Sequence, residues 1–222
     1  MNDQIKKDIT LVLGGGSARG LAEIGALEII EKHFNIKAII GTSMGAIIGG
    51  LYSSGFTPAD ILSLISSLNT LDYLKFVRID ILPSGILDGN KILSFFQEQV
   101  GEKRIENLKI AYAAVAFDII SRRSVIIKKG NLSAAMRSSC SLPFIFEPFN
   151  DGTHLLMDGG VEHPLPLEFA TIFDKYRDIV AVNVLPPVPV EPKEIEISTD
   201  NKQSKFKPNF IHDALKSTEF NQ

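Results

Sequence analysis

The sequence predicts a single α/β domain with a parallel-rich central sheet sandwiched by helices, and three observations carry that prediction. Ile9 to Leu13 (ITLVL) is a short β-branched run that stops at Gly14-Gly15-Gly16, the pattern of a buried strand feeding a tight loop. Leu21, Ile24, Gly25, Leu27, Glu28 and Glu31 then place apolar and charged groups on opposite sides at helical spacing. Ala38 to Ile40 opens a second apolar run. Strand, helix and strand in that order form a βαβ crossover, which joins parallel strands by a right-handed connection.

The remaining elements follow in chain order. Ala38 to Ala59 carries no charge and is long enough to raise a transmembrane reading, with Gly41, Gly45 and Gly49 imitating a small-residue helix interface. Its glycines, its hydroxyls and Pro58 dilute the apolarity, so a strand, a sharp turn and a core helix explain it without lipid. Thr57-Pro58-Ala59-Asp60 reads as a helix start, with a hydroxyl cap, proline in the first turn and an acid three positions after the cap. That helix is expected over Pro58 to Phe76. Pro83 to Asn90 reads as a loop and Lys91 to Val100 as a helix. Ile110 to Phe117 and Ser124 to Ile127 read as a hairpin around Ser121-Arg122-Arg123, and Leu132 to Ser139 as a short helix. Val161 to Phe173 ends in a helical pattern, and Asp178 to Val184 is a buried, strand-like run. Residues 1–185 are thus assigned to the domain. Residues 186–222 form a Pro- and charge-rich loop, Pro186 to Pro208, with a last helix over Phe210 to Phe220.

Composition narrows the function. The chain has 222 residues, enough to bury a core without disulfides, and its net charge of −3 lacks the basic surplus a nucleic-acid partner would want. Cys140 is the only cysteine, so no internal disulfide and no cysteine-based metal site can form. Met1 to Thr10 has charges where a signal peptide needs an apolar core, so a cytoplasmic location is expected, peripheral at the membrane if lipid is the substrate.

Gly41-Thr42-Ser43-Met44-Gly45 is a G-x-S-x-G between an apolar strand and a helix-compatible run. Such a turn projects a serine Oγ, the flanking glycines let strand and helix approach closely, and the helix N-terminus favours developing negative charge. Gly14-Gly15-Gly16-Ser17-Ala18-Arg19-Gly20 has no Lys-Ser/Thr pair for a P-loop, and Ser17 or Arg19 falls where a dinucleotide fingerprint needs glycine. One βα unit ahead of a nucleophile turn, it is better used as an oxyanion hole of backbone N–H groups, and a plain tight turn is the alternative. Leu156-Met157-Asp158-Gly159-Gly160 sets an acid at the end of an apolar run, where an aspartate is otherwise an ordinary turn acceptor.

Together these motifs resemble the patatin-like phospholipase family, specifically its small bacterial members. The glycine loop with Arg19-Gly20, the elbow at Ser43 and Asp158-Gly159-Gly160 match in kind and order. Arg137-Ser138-Ser139-Cys140-Ser141-Leu142-Pro143, with Phe146-Glu147-Pro148, looks like the family's arginine, serine and proline block. The likeness spans Ile9 to Val184. Ser17 stands where many members carry glycine, and Glu23 where bacterial relatives often have histidine. The resemblance implies a fold related to the α/β-hydrolase arrangement, no cofactor or metal, and a Ser43–Asp158 dyad hydrolysing lipid acyl esters with transient membrane-surface contact. A triad would instead recruit His163 or His212, while His33 and His154 read as surface or structural residues. A general carboxylesterase or thioesterase, or a non-enzymatic binding module, are the alternatives.

Overall fold

The computed structural model describes residues 6–67, 89–143, 145–173 and 178–186. In chain order the elements are β1 (Lys7–Leu13), α1 (Ala22–His33), β2 (Phe34–Thr42), α2 (Met44–Ser53), α3 (Pro58–Ser67), α4 (Asn90–Val100), β3 (Ala111–Asp118), β4 (Arg123–Ile127), α5 (Leu132–Ser139), β5 (Phe149–Asn150), β6 (Leu155–Asp158) and β7 (Asp178–Val182). The strands form one mixed sheet in the order β5-β6-β3-β2-β1-β7, with β4 pairing with β3 off that path. Strands β7, β1, β2 and β3 are mutually parallel, whereas β4 and β6 run antiparallel to β3.

The two faces of the sheet follow the two-residue alternation of the strands. Leu11, Leu13, Ile39, Tyr112 and Ala114 point to one face and pack against Ile24 and Leu27 of α1, Ile48 and Leu51 of α2, and Leu132 and Met136 of α5. Val12, Ile40, Ala113 and Val115 point to the other, where Ala170 and half-buried Leu165, Phe169 and Ile172 cover them. Full burial of each such aliphatic side chain contributes about 1.5–3 kcal/mol, so both layers hold the strands in register.

One detail of topology positions the site. Ala114 and Val115 of β3 pair with β4 and also with Gly41 and Thr42 of β2, which puts β2 and β4 on opposite edges of β3. Ala116 pairs with Val125 of β4 and with Asp158, so β6 takes up the edge where β2 stops. Since β2 is parallel to β3 and β6 antiparallel, their carboxyl ends meet head-on: Thr42 lies opposite Val115 and Asp158 opposite Ala116.

Within the described residues the expected elements are present with shifted ends. β1 and β2 start earlier than Ile9 and Ala38, because the charged Lys7 and Asp8 pair with Phe34 and Asn35 at the exposed end of the sheet. A 3₁₀ turn, Ser17–Leu21, comes before α1, and Leu21 lies outside the buried face of that helix. The charge-free stretch resolves into the end of β2, α2 and the start of α3, and among the described residues no helix is long and apolar enough to cross a membrane. Thr57 and Asp60 cap α3 reciprocally, at 2.9 and 3.1 Å. Leu167–Phe173 is a 3₁₀ helix that follows Pro164 and Pro166, both poor in helix-forming N–H groups. β7 is half-exposed instead of buried, since among the described residues it forms the sheet edge and pairs only with β1. The short β5 was not anticipated. The helix beyond Ser67, most of the 83–90 loop, the 187–222 tail and His212 lie outside the described residues.

Candidate active site

Ser43 sits between β2 and α2 with φ 56° and ψ −120°, a conformation that L-residues rarely adopt and that costs about 1–3 kcal/mol. The surrounding backbone enforces it. A Cβ on Gly41 would stand 2.4 Å from the Gly45 carbonyl oxygen, and a Cβ on Gly45 would stand 2.5 Å from the Leu13 oxygen, so both flanks of the turn must be glycine. A Cβ on Gly20 would stand 2.4 Å from Met44 Cγ, which ties the glycine loop against the elbow helix. The Ser43 N–H donates to Ser139 Oγ at 3.0 Å, and the Ser139 hydroxyl donates to the Val115 carbonyl at 2.6 Å. The last turn of α5 therefore pins the elbow to β3.

Asp158 is buried at the end of β6. Its Oδ1 accepts the Gly160 N–H at 2.7 Å, and its backbone N–H donates to the Ser141 carbonyl at 2.9 Å. Oδ2 is buried and, among the described residues, has no partner at hydrogen-bond geometry. Burial pushes the carboxyl above the usual aspartate range, against the Ser43 hydroxyl and the Gly160 N–H, which both favour the charged form. Gly159 is required by the crossing backbone, since a Cβ there would stand 2.5 Å from the Val115 oxygen. Arg137 braces the same region. It donates to the carbonyls of Gly89 and Glu147 at 2.9 and 2.8 Å and to Ser141 Oγ, so the segment that holds Asp158 is itself held.

Gly15, Gly16, Ser17, Ser43, Asp158 and Gly160 line one open cleft of about 290 Å³, joined by Leu142, Val161, Pro164 and Leu185. The cleft lies at the carboxyl ends of β1 and β2, where open α/β sheets place their sites. A larger recess of about 540 Å³ between β4 and α5 shares none of these residues. In the loop, Gly14 N–H donates to the Val182 carbonyl at 3.2 Å and Gly15 N–H to the Pro164 carbonyl at 2.6 Å. Gly15 is thus committed to holding the loop, whereas Gly16 and Ser17, which start the 3₁₀ turn and line the cleft, have no acceptor for their N–H groups among the described residues. Arg19 holds the loop through its backbone N–H to Gly16 at 3.0 Å, and its exposed side chain bonds to no described residue.

Glu23, at the first turn of α1, is fully buried beside Gly14 with neither carboxyl oxygen partnered, and burial pushes its pKa up to about 8. His163 does not line the cleft. Its ring nitrogens face Glu168 and, at 3.5 Å, Glu162, and the ring packs edge-on to Phe169. His33 and His154 are exposed. Among the described residues no cluster of three or more His, Cys, Asp or Glu could hold a metal ion. Three contributions escaped sequence reasoning: the Ser139 bridge, the Pro164 carbonyl that takes Gly15, and the apolar lining by Leu142, Val161 and Leu185. Each depends on residues far apart in sequence, and only Ser139 and Leu142 lie inside a segment that the sequence singles out, the Arg137 to Pro143 block.

Fold and site together define a class: α/β proteins with a serine on a strained strand-to-helix elbow at the carboxyl ends of parallel strands. Within that class the chain belongs to the patatin-like phospholipase family, whose model matches residues 11–171. As a family these are lipid acyl hydrolases. The chain is similar to an uncharacterized NTE family protein of Mycobacterium bovis, 38% identical over 160 residues that cover 72% of this chain and 44% of the relative. It also resembles protein YqhO of Bacillus subtilis, 28% identical over 215 residues, with coverage of 82% and 73%. The chain therefore spans less than half the length of the mycobacterial relative. VipD from Legionella pneumophila shares the fold, with a TM-score of 0.50 at 13% identity over 70% of this chain and 46% of that one.

Proposed function

We propose that this chain is a serine acyl hydrolase acting on lipid esters, with Ser43 as nucleophile and Asp158 as its direct base. The observation that carries the reading is the head-on meeting of β2 and β6 along one edge of β3, which brings a strained serine and a buried, partly unsatisfied carboxyl into one cleft. Ser43 Oγ attacks the acyl carbonyl while its proton passes to the Asp158 carboxylate. The N–H groups of Gly16 and Ser17 receive the oxyanion, each such donor being worth about 2.7–4 kcal/mol in the transition state. Collapse expels the alcohol, which takes the proton back from Asp158 and leaves acyl-Ser43. Water, deprotonated by Asp158, then attacks the acyl carbon, and the second tetrahedral intermediate collapses to the fatty acid as Asp158 returns the proton to the leaving Ser43 Oγ. Aspartate is a weak base at its free pKa of about 3.9, and burial counters this by moving the carboxyl toward the operating pH. Leu142, Val161 and Leu185 supply an apolar wall for the acyl chain.

The test is labelling by a fluorophosphonate probe of the wild-type chain and of Ser43→Ala, followed by hydrolysis of a lipid panel. Wild type is expected to label and Ser43→Ala to remain unlabelled. Labelling that persists at another serine removes Ser43 from the mechanism, and a folded wild type that never labels leaves a non-enzymatic binding module. Turnover of short soluble esters or thioesters with none of micellar lipid would replace the lipid reading by a general esterase.

A further inference from the structure

We infer that the rim of the cleft is a docking surface for a membrane leaflet bearing anionic lipids. The inference rests on the reading of the cleft as a lipid-ester site, because a substrate anchored in a bilayer has to enter from that side.

Four separate segments at the cleft end of the sheet each carry a large, exposed aliphatic side chain. Val161, 56% exposed, follows Asp158-Gly159-Gly160 and lines the cleft; Leu21, 38% exposed, closes the 3₁₀ turn of the glycine loop. Ile145, 43% exposed, bonds back through its N–H to the carbonyl of Leu142 in the cleft wall. Ile120, 54% exposed, is on the tip of the β3–β4 hairpin, beyond the carboxyl end of β3. That hairpin reaches the rim through Ser124, whose hydroxyl bonds to the carboxylate of Glu162, next to Val161. Exposed aliphatics gathered around an opening mark a surface meant to be covered.

Charge identifies the cover. Arg19, Arg122 and Arg123 are exposed on two of these same segments, and none makes an ion pair with a described residue. Of the acids on these segments, Glu162 is turned toward Ser124 and His163, and Asp118 is buried with its carboxylate taken by backbone N–H groups of the hairpin. A chain of net charge −3 is repelled as a whole by an anionic leaflet, so its approach depends on where the cations sit. Arginine at such a surface is drawn to the anionic headgroups while aliphatic neighbours enter the headgroup region. The hairpin is built to present its part rigidly: Asp118 Oδ atoms accept the N–H groups of Ile120, Ser121 and Leu155, and Arg122 is held at φ 56°. A fixed turn offers Ile120 and Arg122 outward without the entropy cost of ordering a loop.

The experiment is vesicle co-sedimentation of the full chain carrying Ser43→Ala, which prevents the lipid from being consumed. Vesicles of phosphatidylcholine alone are compared with vesicles that also contain phosphatidylglycerol. Binding is expected to be at least about tenfold tighter to the anionic vesicles, to weaken with salt, and to fall about tenfold when Arg122→Glu and Arg123→Glu are combined. Ile120→Ser is expected to weaken binding to both vesicle types. Arg122→Gln and circular dichroism guard against a folding defect, and in the active background the hairpin variants should keep wild-type turnover of a monomeric soluble ester while losing vesicle hydrolysis. Equal affinity for both vesicles, no binding, or unchanged binding by the folded arginine variants overturns the docking surface. Labelling of Ser43 without vesicle binding sinks the docking inference alone, and vesicle binding without labelling sinks the hydrolase reading alone.

Discussion

Replacing Glu23 by Gln should remove a pH dependence of stability that its buried carboxyl imposes. Glu23 lies beside Gly14 with both oxygens unpartnered, and loss of hydration raises its pKa from 4.5 to about 8. Between these two values the folded chain retains a proton that the unfolded chain has released, so stability falls as pH rises. Below 4.5 both states are protonated and the site is neutral to stability. At about 1.4 kcal/mol per pH unit, the loss accumulates to about 5 kcal/mol near pH 8 and then levels off. That is a large part of the ~5–15 kcal/mol that stabilises a typical domain. Gln has the same shape and does not titrate, and its unpartnered amide adds an offset that is constant in pH. Urea unfolding of both chains at each pH from 4.5 to 9 gives the difference directly, with the slopes from Asp158 and other shared groups cancelling. Glu23→Gln should gain on wild type steadily across the window, ending several kcal/mol ahead. A difference that stays flat from pH 5 to 9 would mean that Glu23 ionises freely, and the desolvation argument would be wrong. A difference of opposite sign would mean that its carboxylate has found a partner.

Asp158→Asn should lower kcat by orders of magnitude while His33→Ala, His154→Ala and His163→Ala stay within about threefold of wild type, a gap of only ~0.65 kcal/mol; collapse of His163→Ala would restore a triad. The wild-type rate should decline on acidification at a pH above the ordinary aspartate range, because protonating the raised Asp158 carboxyl removes the base, and a pH–rate profile locates that limb. Ser139→Ala leaves the Ser43 N–H and the Val115 carbonyl without their shared partner, so chemical denaturation should show a loss of about 1–3 kcal/mol together with slower probe labelling. Gly16→Pro deletes a candidate oxyanion N–H and should impair kcat about a hundred- to thousand-fold with less effect on KM. A folded Gly16→Pro chain with turnover within about threefold of wild type would make the loop a structural turn only.

Much of the fold was readable because its signals are local. ITLVL running into three glycines marks β1, the apolar run into Gly41 marks β2, and Thr57 with Asp60 marks the start of α3 by chemistry confined to four residues. Ser43 and Asp158 were visible for the same reason, each standing where an apolar run meets glycine. What stayed hidden needs the third dimension. Nothing near Gly15 reveals that its N–H is taken by Pro164, nor does anything near Ser139 reveal that it bridges Ser43 and Val115. Glu23 looks like an ordinary first-turn acid until the glycine loop closes over it. β7 reads as buried from its apolar residues alone, and its place at the sheet edge decides otherwise.

The sharing of one β3 edge by β2 and β6 has an outcome for assembly. Thr42, next to Ser43, and Asp158 are located by pairing with neighbouring β3 residues and not by the chain that joins them, so surface turns such as those at Gly130 and Gly152 can be lengthened without parting Ser43 from Asp158. A slip of β6 by a single residue, in contrast, would turn Asp158 to the other face of the sheet. Esterolysis would then vanish from chains that look normal by circular dichroism. With Ser43 and Asp158 acting as proposed, turnover of a small ester would double as a gauge of refolding fidelity, counting only molecules in which β2, β3 and β6 have found their correct alignment.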